Sequence, residues 1–305
     1  MQYMAVLIRG TLRDRVVART RRALACGSLQ PIATDYAFIE DAGVRFFVRV
    51  LANIERKEEA KREQDKKAGV SGKKVNPFLP FEKNLFVADI SDTHAALLNK
   101  FNVVDHHLLI VTREFEDQET LLTPQDFDAL SICLSEYNGL CFYNGGEVAG
   151  ASQPHKHLQM VPLPLAPEGP EVLIEPLLPR DRPAGDIVTV REFPFLNAFT
   201  VLQGEKPLSP GERAGRMFEL YAGLLRKTGM DSPDGSALKR QSGPYCLLAT
   251  RAWMLLVPRS AEFFDSVSIN SLGFAGALLV RNRTQLETLR KFGPMNALKS
   301  VAVAV

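Results

Sequence analysis

Two short apolar runs around a glycine-bearing loop constrain this chain more than any other feature. "LCFYNGG", Leu140 to Gly146, ends in paired glycines, and "HKHLQMVPL", His155 to Leu163, resumes after "EVAGASQP". Runs of this length bounded by turn residues read as strands, the second a neighbour of the first. Side chains alternate faces along a strand. His155, His157 and Gln159 therefore share one face, and Lys156, Leu158 and Met160 the other. Gly145, Gly146 and Gly150, with Ser152, supply a loop whose N–H groups can converge on an anion such as phosphate.

The rest of the chain mixes helices and strands without strict alternation. Gly10 to Ala25 reads as an amphipathic helix with Gly27 near its end, and "YAFIEDAGVRFFVRVL" as two strands about a turn at Asp41-Ala42-Gly43. Glu55 to Lys74 is charge-dense and reads as a solvated helix or loop. "HHLLIVT" is a buried-strand candidate. Thr123-Pro124 caps a helix to about Tyr137, and Pro162 to Pro183 is a long proline-rich connection. "FPFLNAFTVL", "PYCLLAT", "AWMLLVPRS" and "GFAGALLV" are further strands. Pro210 to Lys227 and "TQLETLRKF" are helices. Neither internal repeats nor a dinucleotide glycine fingerprint is present. This order predicts an α+β fold with a largely antiparallel sheet.

Composition narrows the function classes. A net charge of +2 over 305 residues demands neither nucleic acid nor an anionic membrane. No run approaches a membrane span, and the opening apolar run is too brief for a signal peptide, so a cytoplasmic setting is expected. Cys26, Cys133, Cys141 and Cys246 form no Cys-x-x-Cys pair and read as buried thiols.

A histidine held by an acceptor on one ring nitrogen can attack phosphorus through the other, given donors aimed at the phosphoryl oxygens. The alternatives are a polar strand face bearing surface histidines, or a metal pair. No nearby carboxylate or cysteine completes a metal shell, so no metal ligands are assigned. The companion Gln159 and the small-residue loop favour the catalytic reading over both.

His155-Lys156-His157-Leu158-Gln159 resembles the His-x-His-x-Gln signature of the transferase branch of the histidine triad (HIT-like) superfamily. "LLNKFNVVDHHLLIVTREFEDQ", "LTPQDF", "FYNGGEVAGASQPHKHLQMVPLP", "RAWMLLVPRS" and "SINSLGFAGALLV" together resemble the diadenosine tetraphosphate (Ap4A) phosphorylase, or ATP adenylyltransferase, family. The resemblance implies a HIT-like catalytic region over 1–185 and an adenylyltransferase region over 186–305, packed as one unit. It also implies phosphorolysis of diadenosine polyphosphates by inorganic phosphate to ATP and ADP, with ADP or adenosine phosphosulfate as side substrates.

By motif position the resemblance makes His157 the nucleophile and has His155 orient the loop and support the tautomer of His157. Gln159 stands where hydrolase relatives carry a third histidine. It can donate to the phosphoryl group but cannot be a general acid near neutral pH. Substrate contacts carry over to Lys57, Asn99, Lys100, Asn144, Gly150, Ala151, Ser152 and Gln153, and to Asn270, Ser271 and Leu272. Ala277 and Arg281 follow further along the same strand. The family often has threonine at the place of Leu272, and methionine and lysine also occur at Ala277 and Arg281. The resemblance further implies Mg2+ bound with the substrate, no organic cofactor, and no nucleic-acid or membrane partner.

The rivals are a hexose-1-phosphate uridylyltransferase, a dinucleoside polyphosphate hydrolase and a non-catalytic nucleotide sensor. His94 reads as a surface residue in a turn or helix start. His106 and His107 are assigned no role, and Trp253 and Phe274 are read as core.

Overall fold

The computed structural model describes residues 7–52, 76–202, 208–231 and 240–305. Helix α1 (Leu12–Ala25) buries Leu12, Val16 and Ala23 on one stripe, as its spacing predicts. Strands β1 (Thr34–Asp41) and β2 (Val44–Leu51) pair antiparallel about Ala42 and Gly43. Both turn residues have positive φ, 49° and 79°, the geometry that matches the twist of a two-residue hairpin.

Strands β3 (Phe86–Asp89), β4 (His94–Leu98) and β5 (Leu108–Thr112) follow. Helix α2 (Pro124–Glu136) starts on a capping box: Thr123 accepts from the Asp126 N–H while Asp126 accepts from that of Thr123. Strands β6 (Gly139–Gly145) and β7 (His157–Pro162) flank the glycine loop. Then come β8 (Ile187–Val188), β9 (Ala198–Val201) and α3 (Pro210–Lys227), the helix again entered by a serine capping box and proline. Strands β10 (Tyr245–Ala249), β11 (Trp253–Pro258), β12 (Phe263–Phe264), β13 (Val267–Ser268) and β14 (Ala277–Val280) precede α4 (Arg283–Phe292) and α5 (Pro294–Val301).

Nine strands form one sheet, ordered β3-β4-β5-β7-β6-β10-β11-β9-β8, and every neighbouring pair is antiparallel. The central strands are buried along their whole length because both faces are covered. One face packs on α1, α2 and α3 through Leu158, Met160, Cys141, Tyr143 and Leu247. The other packs Leu140, Phe142, Leu248 and Leu255 against a three-stranded sheet, β1-β2-β14, and helices α4 and α5. A third cluster, Phe78, Leu97, Leu109 and Val111, covers the β4–β5 end of that second face.

Several expectations change. "GFAGALLV" is not one strand: Ser271–Ala275 is a 3-10 helix capped by Asn270, so Ala277 and Arg281 do not continue a strand from Asn270. Gly276, at φ 88°, turns the chain into β14. The proline-rich connection sinks Leu165, Val172, Leu173, Ile174 and Leu178 into the second core, so that stretch is packing. Cys26 is exposed, whereas the other three cysteines are buried. Trp253 and Phe274 are core residues, as expected.

Candidate active site

On β7, His157 pairs with Val111 of β5, while Gln159 lies between Leu109 of β5 and Phe142 of β6. These two polar side chains therefore occupy the seam between the second and third apolar clusters, on the face away from α1–α3. The His157 Nδ1–H donates to the His155 carbonyl at 2.8 Å, which leaves Nε2 without its proton. No described residue engages Nε2. Burial pushes the His157 pKa down to about 4, against the opposing pull of the His155 carbonyl. The ring is neutral near pH 7, with a lone pair facing the seam.

Gln118 holds the backbone at this point. Its Oε1 accepts from the His157 N–H at 2.8 Å, and its Nε2 donates to the Asn144 carbonyl at 2.8 Å. An amide side chain thus satisfies main-chain groups where the β6–β7 ladder opens.

His155 meets the His157 ring through its carbonyl and not through its own ring. It precedes the strand proper and forms a single bridge with Asp117. Its ring is spent elsewhere: Asn76 donates to Nδ1 at 2.9 Å and Nε2–H donates to the Thr112 carbonyl at 2.9 Å. Desolvation lowers its pKa.

Gln159 Oε1 lies 2.9 Å from His107 Nε2, and its amide nitrogen has no partner among the described residues. His107 is buried, and desolvation takes its pKa down to about 4 despite the hydrogen bond to Gln159. Asn99 completes this group, its amide nitrogen 3.2 Å from His107 Nδ1. Lys100, by contrast, is paired with Glu82 at 3.0 Å.

The glycine loop is wired differently from the expected nest. The Gly150 N–H donates to Glu147 and the Ala151 N–H to Gly146, closing a 3-10 turn over Glu147–Ala149. The main-chain N–H groups of Ser152 and Gln153 have no backbone partner among the described residues. Gly150 has φ 93°, and a Cβ there would come within 2.7 Å of the Asn270 Cβ, so this glycine lets the loop touch the Asn270 turn. The contact joins two segments over a hundred residues apart in sequence. Asn144 reinforces it: its Oδ1 accepts from the Ser271 N–H at 3.0 Å and from Ser271 Oγ at 2.6 Å. The Asn144 amide nitrogen is left without a partner among the described residues.

The opposite face of β7 carries charge. Lys156, fully buried, binds Asp126 at 3.0 Å and Glu116 at 2.8 Å. His94 is not a surface residue: it opens β4, is 1% exposed, and its Nε2 meets Asp126 at 3.0 Å. Burial opposes the Asp126 charge, but the His94 hydrogen bond and the Lys156 cation outweigh it and lower its pKa. The residue that closes the α2 capping box therefore also ties that helix to the back of the histidine strand.

Comparison with known proteins identifies the family. The Ap4A phosphorylase N-terminal domain matches residues 2–180. The chain belongs to the Ap4A phosphorylase family. The ATP adenylyltransferase C-terminal domain matches residues 191–304. Diadenosine tetraphosphate phosphorylase 2 of Saccharomyces cerevisiae is 29% identical over 282 residues, covering 80% of this chain and 79% of its own. The crystal structure of the yeast Ap4A phosphorylase Apa2 superimposes with a TM-score of 0.77 at 24% identity, covering 98% of this chain and 96% of that one. Its complex with Ap4A gives 0.73 at 22% identity, covering 98% and 99%. The expected α+β fold with a largely antiparallel sheet is the one observed.

In this Ap4A phosphorylase family member, the described structure brings His157, Gln159, Asn99, Asn144, Gly150, Asn270 and Ser271 into one connected group. Leu272 sits in the 3-10 helix, its N–H capped by Asn270. Ala277 opens β14 of the smaller sheet and Arg281 follows its end, and no hydrogen bond or ion pair among the described residues links either to β7. Arg281 is exposed beyond the end of β14, beside the end of parallel β2. Lys57 lies outside the described residues. His107, Gln118 and Asn76 went unassigned in the sequence. Nothing local marks them, because each acts through a partner on another strand or loop.

Proposed function

We propose that this chain catalyses reversible phosphorolysis of diadenosine polyphosphates, Ap4A and inorganic phosphate giving ATP and ADP. One observation carries the reading. His157 gives its Nδ1 proton to its own backbone, stays neutral, and presents Nε2 to a seam lined by amide donors. Nε2 attacks the α-phosphorus, the P–N bond forms, the P–O bond to the remaining chain breaks, and ATP leaves. The Nδ1–H bond to the His155 carbonyl stabilises the positive ring of the adenylyl-histidine. A phosphate oxygen then attacks the same phosphorus, the P–N bond breaks, and ADP leaves. No proton need be removed from the nucleophile.

The Gln159 amide, the Asn144 amide and the N–H groups of Ser152 and Gln153 are assigned to the phosphoryl oxygens, where donors fixed in advance lower the barrier most. His155 acts by fixing the strand. Asn270, Ser271, Leu272, Ala277 and Arg281 are assigned to the second nucleotide or the polyphosphate, Lys100 to the neighbourhood of the nucleotide, and Lys57 to a basic substrate contact. Among the described residues no three metal-ligating side chains converge. Mg2+ is assigned to the substrate's phosphates on the family resemblance, and no step is routed through it. No described helix is long and apolar enough to cross a membrane, and the proposed setting is the cytoplasm.

Radiolabelled Ap4A with and without phosphate tests the reading. Phosphate-dependent release of ATP and ADP, with an AMP-sized adduct on the His157 peptide when phosphate is withheld, is the expected result. Equal turnover without phosphate would make the chain a hydrolase. Binding without turnover would make it a sensor, and indifference to Ap4A with use of a UDP-sugar a uridylyltransferase.

A further inference from the structure

The orientation of the Gln159 amide is forced from 58 residues away in sequence, starting at a backbone N–H. The Phe101 N–H can only donate, and its acceptor is Asn99 Oδ1 at 3.3 Å. That fixes which end of the Asn99 amide is oxygen, so its nitrogen faces His107 Nδ1 at 3.2 Å. A nitrogen accepting a proton carries none, so the neutral His107 ring holds its proton on Nε2. That Nε2–H then donates to Gln159 Oε1 at 2.9 Å. With Oε1 engaged, the Gln159 amide can turn only its NH2 group toward Nε2 of His157.

We propose that His107, oriented by Asn99, is a positioning residue that sets the acceptor choice of this enzyme. It rests on the phosphorolysis reading and deepens it. A Gln159 free to flip would present Oε1 to the adenylyl-histidine, where a carbonyl oxygen repels phosphoryl oxygens and accepts a proton from an attacking water. Locked as the structure holds it, Gln159 offers donors alone. They stabilise charge on the transferring phosphoryl group and give water no acceptor on that side. Inorganic phosphate brings its own nucleophilic oxygen and needs none. Asn99, expected from the family resemblance to touch nucleotide, acts instead through this relay.

Burial strengthens the lock. His107 is 7% exposed and packs against Phe142 at 5.8 Å between ring centroids, with a partner on each ring nitrogen. The groups facing it are Asn99, Gln159 and the neutral His157, none of which favours a second proton.

Three measurements on the full chain test the proposal. Nitrogen-15 NMR of labelled histidine should find His107 as the Nε2–H tautomer and neutral at pH 7. An Nδ1–H tautomer overturns the relay whether or not the protein turns over Ap4A, so this arm is independent of the assigned reaction. His107→Phe should lower kcat for phosphorolysis about 100-fold, the scale of one fixed donor. It should leave KM for Ap4A within about twofold and raise the AMP share of the products. Adding Gln159→Ala should cost less than about twofold more, because both changes remove one interaction. Independent, multiplying losses or an unchanged AMP share would refute the proposal. His107→Gln, which can accept from Asn99 and donate to Gln159, should recover about tenfold of the kcat loss.

Asn99→Asp is the sharpest variant, since it exchanges one donor for an acceptor without changing size. At a pH where the His107 ring stays neutral, it should move the proton to Nδ1, reverse Gln159 and reproduce the His107→Phe kinetics. Normal kcat with the proton on Nδ1 would sink the idea.

Discussion

The two faces of β7 solve opposite problems with adjacent residues. Behind the sheet, Lys156 is fully buried and charged, neutralised by Asp126 and Glu116, with His94 on the far side of Asp126. On the front, His157, Gln159 and His107 are uncharged, and burial holds both rings far below the usual histidine range. Charge on the back fixes the strand against α2. Neutrality on the front leaves room for a polyphosphate to bring its own charge and to be met by dipoles and a lone pair.

The largest way to break this division is on the front. His157→Ala should reduce turnover on the order of 10⁴-fold, as loss of a nucleophile does. It should also abolish the adenylyl adduct seen by mass spectrometry, and leave the unfolding midpoint nearly unchanged.

On the back, Lys156→Met should cost stability first. Removing one partner strands the buried Asp126 carboxylate, a loss of about 3–5 kcal/mol. Denaturant unfolding should show it, and adding Asp126→Asn should return part of the loss.

Acid separates the faces less drastically. His107 and His157 are depressed from 6.5 to about 4 in the folded state. Each contributes stability that is complete above pH 6.5 and lost as pH falls through 4, because the unfolded chain takes up the proton first. The lowered Asp126 works in the same direction at lower pH. Thermal midpoints should fall steadily below pH 6.5, by up to roughly 3 kcal/mol of stability for each ring. The acid limb of turnover should lie nearer pH 4 than 6.5.

Smaller effects sharpen the front face. Gly150→Ala meets both a φ of 93° and the Asn270 Cβ at 2.7 Å. It should cost about 1–3 kcal/mol and raise KM for Ap4A by parting the loop from the Asn270 turn. Ser271→Ala removes the 2.6 Å hydrogen bond to Asn144 Oδ1. The backbone bond to the same oxygen remains, so calorimetry should find a loss of about 1 kcal/mol.

Local chemistry made much of this architecture legible in the chain. Thr123-Pro124 announces its helix because a hydroxyl cap and a proline suit the first turn wherever they occur. His157 and Gln159 share a face because strand geometry has period two. The resemblance put Asn144 and Gly150 at the α-phosphate and Asn270 and Ser271 at the second nucleotide or the polyphosphate, and the fold brings the two pairs into direct contact. His94 was misplaced because its burial depends on Asp126, 32 residues away on a helix packed behind its strand. His107 and Gln118 stayed silent because a hydrogen-bond partner across strands leaves no mark on either residue's neighbours in sequence.

By itself the sequence determined much of the strand pattern, the capped helices and the face that His157 and Gln159 share. Only the tertiary structure decided which proton that imidazole keeps, which way Gln159 turns, and which face of β7 bears charge. Those are properties of donors and acceptors brought within 3 Å by packing. A hydrogen bond acts only at such short range, so its consequences exist only once distant segments have met.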